Sequence, residues 1–208
     1  AGPVTIELLS RRINSPLHGM LKVQDPAGRV VLDAADTEGR DLVVTMHAEA
    51  NVAYTLSLHD LDFAGDRSYV YRLSLSAAPQ VQAAYPAAGQ RGQTRPVEFV
   101  GIGLATGRDQ LESVSRDVSF PASPEMSSMD YVLETPFGVA KPIRLLVTDL
   151  AEAVQASAGE SAIAAPGGVT GSMATRFGTD YYTTVLTMGQ SWEITAQAPE
   201  LGSPLDLE

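Results

Sequence analysis

Ala1-Gly-Pro-Val-Thr-Ile-Glu-Leu-Leu-Ser-Arg-Arg-Ile-Asn-Ser-Pro-Leu17 opens the chain, and Gly189-Gln-Ser-Trp-Glu-Ile-Thr-Ala-Gln-Ala-Pro-Glu-Leu-Gly-Ser-Pro-Leu205 stands near its other end. The two align without a gap at a constant offset of 188 (192 − 4): Val4 on Trp192, Ile6 on Ile194, Leu8 on Ala196, Ser10 on Ala198 and Ile13 on Leu201. In both copies the apolar or small residues fall at every second position, the period of a β-strand. Both strands then run into a turn in which Asn14 or Gly202 can take a positive φ and Pro16 or Pro204 fixes the next residue. An internal repeat of this kind predicts an all-β chain that carries pieces of two related modules.

Working outward, residues 1–78 read as strands throughout. Leu21 and Val23 precede the turn Asp25-Pro-Ala-Gly28, and Val30-Val-Leu32 follows it, which predicts a hairpin. Alternation resumes at Tyr54, Leu56 and Leu58 and again at Tyr69, Tyr71, Leu73 and Leu75, so these tyrosines read as core. Between them lies the polar connection His59-Asp-Leu-Asp-Phe-Ala-Gly-Asp66. A second unit, residues 79–150, places Val97 and Phe99 on one face of a strand that ends at Gly101-Ile-Gly-Leu104. It continues through strands at 114–120, 130–134 and 143–147, the length and spacing of an immunoglobulin-like sandwich. Residues 151–166 are small and polar with few large apolar groups, and Gly159, Pro166, Gly167 and Gly168 mark them as a linker. Residues 167–208 return to the strand pattern. No helical period of useful length occurs, so helix is expected in below roughly a tenth of residues.

The 208 residues carry a formal net charge of −11 and no cysteine. That balance argues against nucleic acid, whose phosphates need basic clusters. Disulfides and thiolate metal sites are excluded, and no apolar run approaches the ~20 residues of a membrane-spanning helix. Catalytic patterns are also wanting. Gly101-Ile-Gly-Leu-Ala-Thr-Gly107 has its third glycine one place late for a dinucleotide loop and reads as a strand end with a tight turn. There is no Gly-x-Ser-x-Gly elbow and no His-Glu-x-x-His. His18, His47 and His59 lack the spacing of metal ligands. The reading is non-enzymatic.

Several segments together resemble a known family. Gly167-Gly-Val-Thr-Gly171, Gly178-Thr-Asp-Tyr-Tyr182, Met188-Gly-Gln190 and Ala198-Pro-Glu-Leu-Gly-Ser-Pro-Leu-Asp206 are similar to the first half of a bacterial pre-peptidase C-terminal (PPC) domain. Ser15-Pro-Leu17, Leu21 to Asp25 with Gly28, the acidic turn ending at Asp41, Tyr54-Thr-Leu56, Asp60 and Tyr71-Arg-Leu73 resemble its second half. Pro86, Gly89, Gly92, Gly101 and Leu104 resemble the start of an IPT/TIG-type immunoglobulin-like domain. The resemblance implies tandem β-sandwich modules strung along large bacterial secreted or cell-surface proteins, where they act as spacers, adhesion units or accessory regions of hydrolases. It thus implies an extracellular or cell-surface structural or adhesive segment. The alternative is a substrate-targeting region that holds polysaccharide or protein for a hydrolase.

One constellation remains. Asp33, Asp36, Glu38 and Asp41 lie within nine residues around Gly39, and clustered carboxylates suit calcium. Some relatives of the family bind calcium, but the spacing does not fit the twelve-residue helix-loop-helix loop. Aspartates also cap turns by accepting nearby backbone N–H groups, and solvated turn acids are the preferred reading. Apart from calcium no cofactor is implied. Because residues 1–76 resemble late strands and 167–208 early ones, the C-terminal segment 181–198 is expected to pair with a residue 1–76 unit. That unit would belong to the same chain or to an identical one, giving an oligomer or filament by strand complementation. The rival expectation is an excised piece of a longer tandem protein. Neighbouring modules and an extracellular polymer are the expected partners.

Overall fold

A computed structural model describes residues 1–36, 41–155, 160–173, 175, 178–198 and 201. Strands take up 48% of residues and helix 2%, so the chain is all-β as its alternation requires. Two compact units emerge. One comprises 1–80, 102–112 and 134–140, the other 81–101, 113–133 and 141–208.

The first unit is built from β1 (Gly2–Leu9), β2 (Gly19–Gln24), β3 (Val30–Ala35), β4 (Leu42–Ala48), β5 (Thr55–Asp60) and β6 (Arg72–Ser76). They form two three-stranded antiparallel sheets, ordered β4-β1-β6 and β3-β2-β5. Ile6 and Leu8 of β1 and Leu21 and Val23 of β2 point inward and join Leu42 and Met46 in one core. Each such side chain contributes about 1.5–3 kcal/mol by leaving water. Gly19 on β2 faces Leu8 on β1 so closely that a Cβ there would enter the leucine side chain. A glycine is therefore what lets the sheets meet at this point.

The β2–β3 hairpin turns where the sequence places it: Gly28 takes φ +79° and its amide donates to Asp25 O at 2.9 Å. β1 ends in a 3-10 turn, Arg11–Ile13, closed by Asn14 at φ 62°. Asn is among the few residues that enter this region readily. Tyr54 packs on the core as expected, whereas Tyr71 is 54% exposed, because it lies outside β6 in the loop that precedes it.

The second unit contains β7 (Gln80–Tyr85), β8 (Ala88–Gln90), β9 (Thr94–Ile102), β10 (Leu111–Ser119) and β11 (Ser128–Tyr131). The short hairpin β12 (Glu134–Thr135) and β13 (Gly138–Val139) belongs to the first unit, and β14 (Ile143–Thr148) returns to the second. The sheets are β10-β9-β7 and β11-β14-β8. Val97 and Phe99 are fully buried with Leu145 and Val118, and the Phe99 ring stacks on Tyr131 at 4.9 Å. Residues 79–150 are thus not one contiguous unit. Residues 102–112 group with the first, in which Leu104 is buried and the Gly103 turn, at φ +72°, comes up against Pro3.

Two further expectations are corrected. Residues 151–166 contain β15 (Glu152–Val154) and β16 (Glu160–Ala162), each in a parallel pair with a later strand, β17 (Gly168–Thr170) and β18 (Tyr181–Thr183). Small side chains obscured this, because a parallel ladder is made by backbone groups whose partners lie well downstream. The half-buried Glu152 carries a cost: burial holds its carboxyl above the usual range, and nearby Arg95 only partly opposes this. Within the chain, the C-terminal segment pairs through β18 with β16 of the second unit rather than with residues 1–76.

Candidate functional site

The acidic turn between β3 and β4 is the candidate cluster. Asp33 sits on β3 opposite Lys22 and is exposed. Asp36 follows the strand end, is buried, and accepts the Asp41 amide at 3.2 Å through Oδ2. Asp41 immediately precedes β4, with φ 72° and a side chain 0% exposed. Glu38 lies outside the described residues. The structure therefore joins Asp36 to Asp41 and leaves Asp33 on a strand face.

Asp41 has five short partners. Oδ1 accepts the amides of Ser10 and Arg11, both at 2.6 Å, and the Ser10 hydroxyl at 2.9 Å. Oδ2 accepts the Arg12 amide at 3.3 Å and Arg12 Nε at 2.9 Å. Burial by itself would raise this carboxyl. The Arg12 guanidinium and the amides and hydroxyl of Ser10 and Arg11 outweigh burial and hold it at about 2. Asp41 in turn is the main reason Arg12 is held more firmly protonated, with Glu7, 3.0 Å away, adding to it. Chemically this is an anion enclosed by N–H and O–H donors that cap a 3-10 turn.

No protein-family model, no curated protein and no solved structure matches this chain. Among the described residues no three His, Asp or Glu side chains gather as metal ligands.

The acid-on-turn pattern recurs. Asp25 accepts the amides of Ala27 and Arg29, and Asp66 that of Ser68. Asp60 accepts His18 N at 2.9 Å on Oδ1 and the amides of Asp62 and Ala64 on Oδ2. Glu112 accepts Ala105 and Thr106. Backbone donors hold Asp25 and Asp60 below the usual carboxylate range, by Arg29 and His18 first, and the Ser68 hydroxyl does so for Asp66. Glu112 reaches about 2, where its partners, led by Thr106, outweigh burial.

Asp60 and Asp66 anchor a loop whose exposed aromatic side chains the strand pattern does not reveal. Phe63 stands 79% exposed at φ 55°, its ring stacked on His59 at 4.4 Å and 8°. His59 Nδ1 lies 2.8 Å from Asp60 O, so the Nδ1–H tautomer donates there. Leu61, Val70 and Tyr71 are also exposed on this loop. Together they place exposed apolar and aromatic side chains on one loop, with the Phe63 ring flat against His59. The signal in the sequence was Phe63 inside an otherwise polar connection.

A depression in the first unit, of about 440 Å³, is lined by Pro3, Val4, Ala48, Glu49, Ala77 and Phe137 among others. It is shallow and mostly apolar, with Glu49 its charged group.

Proposed function

We propose that this chain is a non-catalytic structural or adhesive β-sandwich segment of an extracellular or cell-surface protein, of the PPC and IPT/TIG-like kind that its motifs resemble. The observation that carries the reading is the use made of its shifted acids. Asp25, Asp41, Asp60, Asp66 and Glu112 all hold turns by accepting backbone amides. Carboxylates in that role stiffen loops, as a spacer or presenting scaffold requires. The net charge of −11 keeps such a segment away from other acidic surfaces.

The stacked pair His59 and Phe63 and the exposed Tyr71 on the same loop favour a second reading, in which the segment holds a polysaccharide or protein for a separate hydrolase. Aromatic faces suit the apolar faces of sugar rings and protein hot spots alike. A depletion assay separates the two. The full chain is mixed with insoluble cellulose, chitin and collagen, and the unbound fraction is measured. A spacer expects no saturable depletion, and an adhesive face away from this loop expects depletion that survives Phe63→Ala and Tyr71→Ala. Saturable depletion that disappears in Phe63→Ala and Tyr71→Ala would overturn the first reading in favour of targeting.

A further inference from the structure

The copy of β1 is the feature that the first unit does not absorb. β1 is a central strand, flanked by β4 and β6. Its copy, residues 191–197, belongs to no strand pair among the described residues. The correspondence extends into the turn: Ile13 N donates to Ser10 O at 3.1 Å, and Leu201 N to Ala198 O at 3.0 Å, at the same offset of 188. Ser10 and Ala198 are both buried. The β1 sequence and its turn hydrogen bond are thus present twice, once as a paired strand and once, among the described residues, outside any strand.

Residues 181–198 hold an unusual share of the exposed large apolar side chains, including Val185 at 93%, Met188 at 99%, Ile194 at 88% and Trp192 at 37%. Glu193 is the only charged residue in that stretch. In a chain of net charge −11, an identical chain meets least repulsion there, and the stretch lacks the charges that would recruit a basic or acidic partner.

Two modes could bring in a second copy. In the first, 191–197 replaces β1 of a neighbour. The first unit refuses that exchange. Glu193 would take the place of Thr5, which is 4% exposed and bonded to Thr45 Oγ1 at 2.8 Å and Ala78 O at 3.0 Å. Ala196 would replace the buried Leu8 and leave a cavity, and Glu200 would stand where Arg12 now meets Asp41. In the second mode the two unpaired 191–197 segments become strands by pairing with each other.

We infer that residues 191–197 of two chains pair antiparallel about a two-fold axis at Ile194, making this segment a homodimer seam. In that register Ile194 faces its counterpart, Trp192 faces the small Ala196, and Glu193 faces Thr195. The even-numbered residues form one apolar face and the odd-numbered ones a polar face. Sliding to an axis at Glu193 would set two carboxylates directly opposite each other. A two-fold seam closes at the dimer, whereas strand exchange is head-to-tail and builds open chains. None of the aromatic-loop residues takes part, so the depletion assay and this proposal succeed or fail separately.

The test uses the full chain. Sedimentation equilibrium from about 1 to about 200 µM should show monomer passing to dimer and no further, over the range where a micromolar Kd acts. Added salt should strengthen the dimer by screening the two acidic chains. Trp192 is the sole tryptophan, so its emission should shift to the blue as the dimer forms. Ile194→Lys should abolish all of this without unfolding, since Ile194 is exposed. The chain has no cysteine, so single replacements report register. Ile194→Cys should cross-link on mild oxidation on the order of a hundredfold faster than Val185→Cys, because pairing raises the effective thiol concentration toward the millimolar range. Monomer throughout, a ladder of larger species, a dimer that survives Ile194→Lys, or equal cross-linking rates would each overturn the proposal.

Discussion

Asp41 Oδ1 receives the backbone N–H of Ser10 at 2.6 Å across 31 residues of sequence. Through this bond the start of β4 closes the turn that ends its neighbour β1. Ser10 is fully buried, so its amide has no water to fall back on. Asp41→Ala should cost about 3 kcal/mol, from stranded donors at ~1–3 kcal/mol and a Cβ kept at positive φ without the local hydrogen bonding of Asp. Asp41→Asn keeps an acceptor and tolerates that φ, and should cost about half as much. Urea midpoints at unchanged m value measure both. Equal losses would show that the carboxylate is not the turn's acceptor.

The same acids set the pH response. Asp25, Asp41, Asp60, Asp66 and Glu112 all have folded-state pKa values below their ordinary ones, with Asp41 and Glu112 at about 2. At these five sites the folded state therefore binds fewer protons than the unfolded one, with the raised Glu152 acting in the opposite sense. The stability they confer is complete above their unfolded pKa values, near pH 4–5, and is lost as pH falls toward 2. Thermal melts should give a flat Tm from pH 5 to 7 and a steep fall below about 4.5. Asp41→Asn should make that fall shallower. A Tm that holds to pH 2 would contradict the clamp assignment.

Gly89 on β8 tests packing in the second unit. Its φ is ordinary, so only space matters, and a Cβ there would enter the ring of the buried Phe120. Gly89→Ala should destabilise by about 1–3 kcal/mol through overpacking. Combining it with Phe120→Leu should give less than the sum of the two losses, because the smaller side chain makes room. Additive losses would mean the contact is relieved elsewhere.

Local structure was legible in the sequence, and remote pairing was not. Alternation at Ile6 and Leu8, the Asp25–Gly28 turn and the helix-poor composition all express near-neighbour rules, and each is realised. The parallel partners of β15 and β16 lie beyond any local signal, and these three-residue strands, with Val154 their one large apolar side chain, are too short to show a period. The acidic turn was legible as a cluster but not as a clamp. Closely spaced carboxylates serve a cation or amide donors equally well, and the donors of Asp41 stand 29 to 31 residues away. Phe63 was passed over because a single aromatic in a polar loop has no period to reveal its exposure.

Calcium addresses that ambiguity directly. The cluster brings Asp36 and Asp41 together, but both Asp41 oxygens already accept donors, and Asp36 Oδ2 accepts the Asp41 amide. A cation at Asp41 would have to displace Arg12 Nε and the amides of the 3-10 turn, exchanging charge-assisted hydrogen bonds for coordination. Asp33 is exposed on β3 beside Lys22, where it would bring an oppositely charged neighbour to the site. Adding millimolar CaCl2 should therefore move the Tm by no more than the same ionic strength of MgCl2. A dedicated site a hundredfold above its Kd would add about 2.7 kcal/mol, a shift of several degrees. A calcium-specific shift of that size, absent in Asp36→Ala, would show that the turn can reorganise around the ion and that the Asp41 clamp is only its metal-free form.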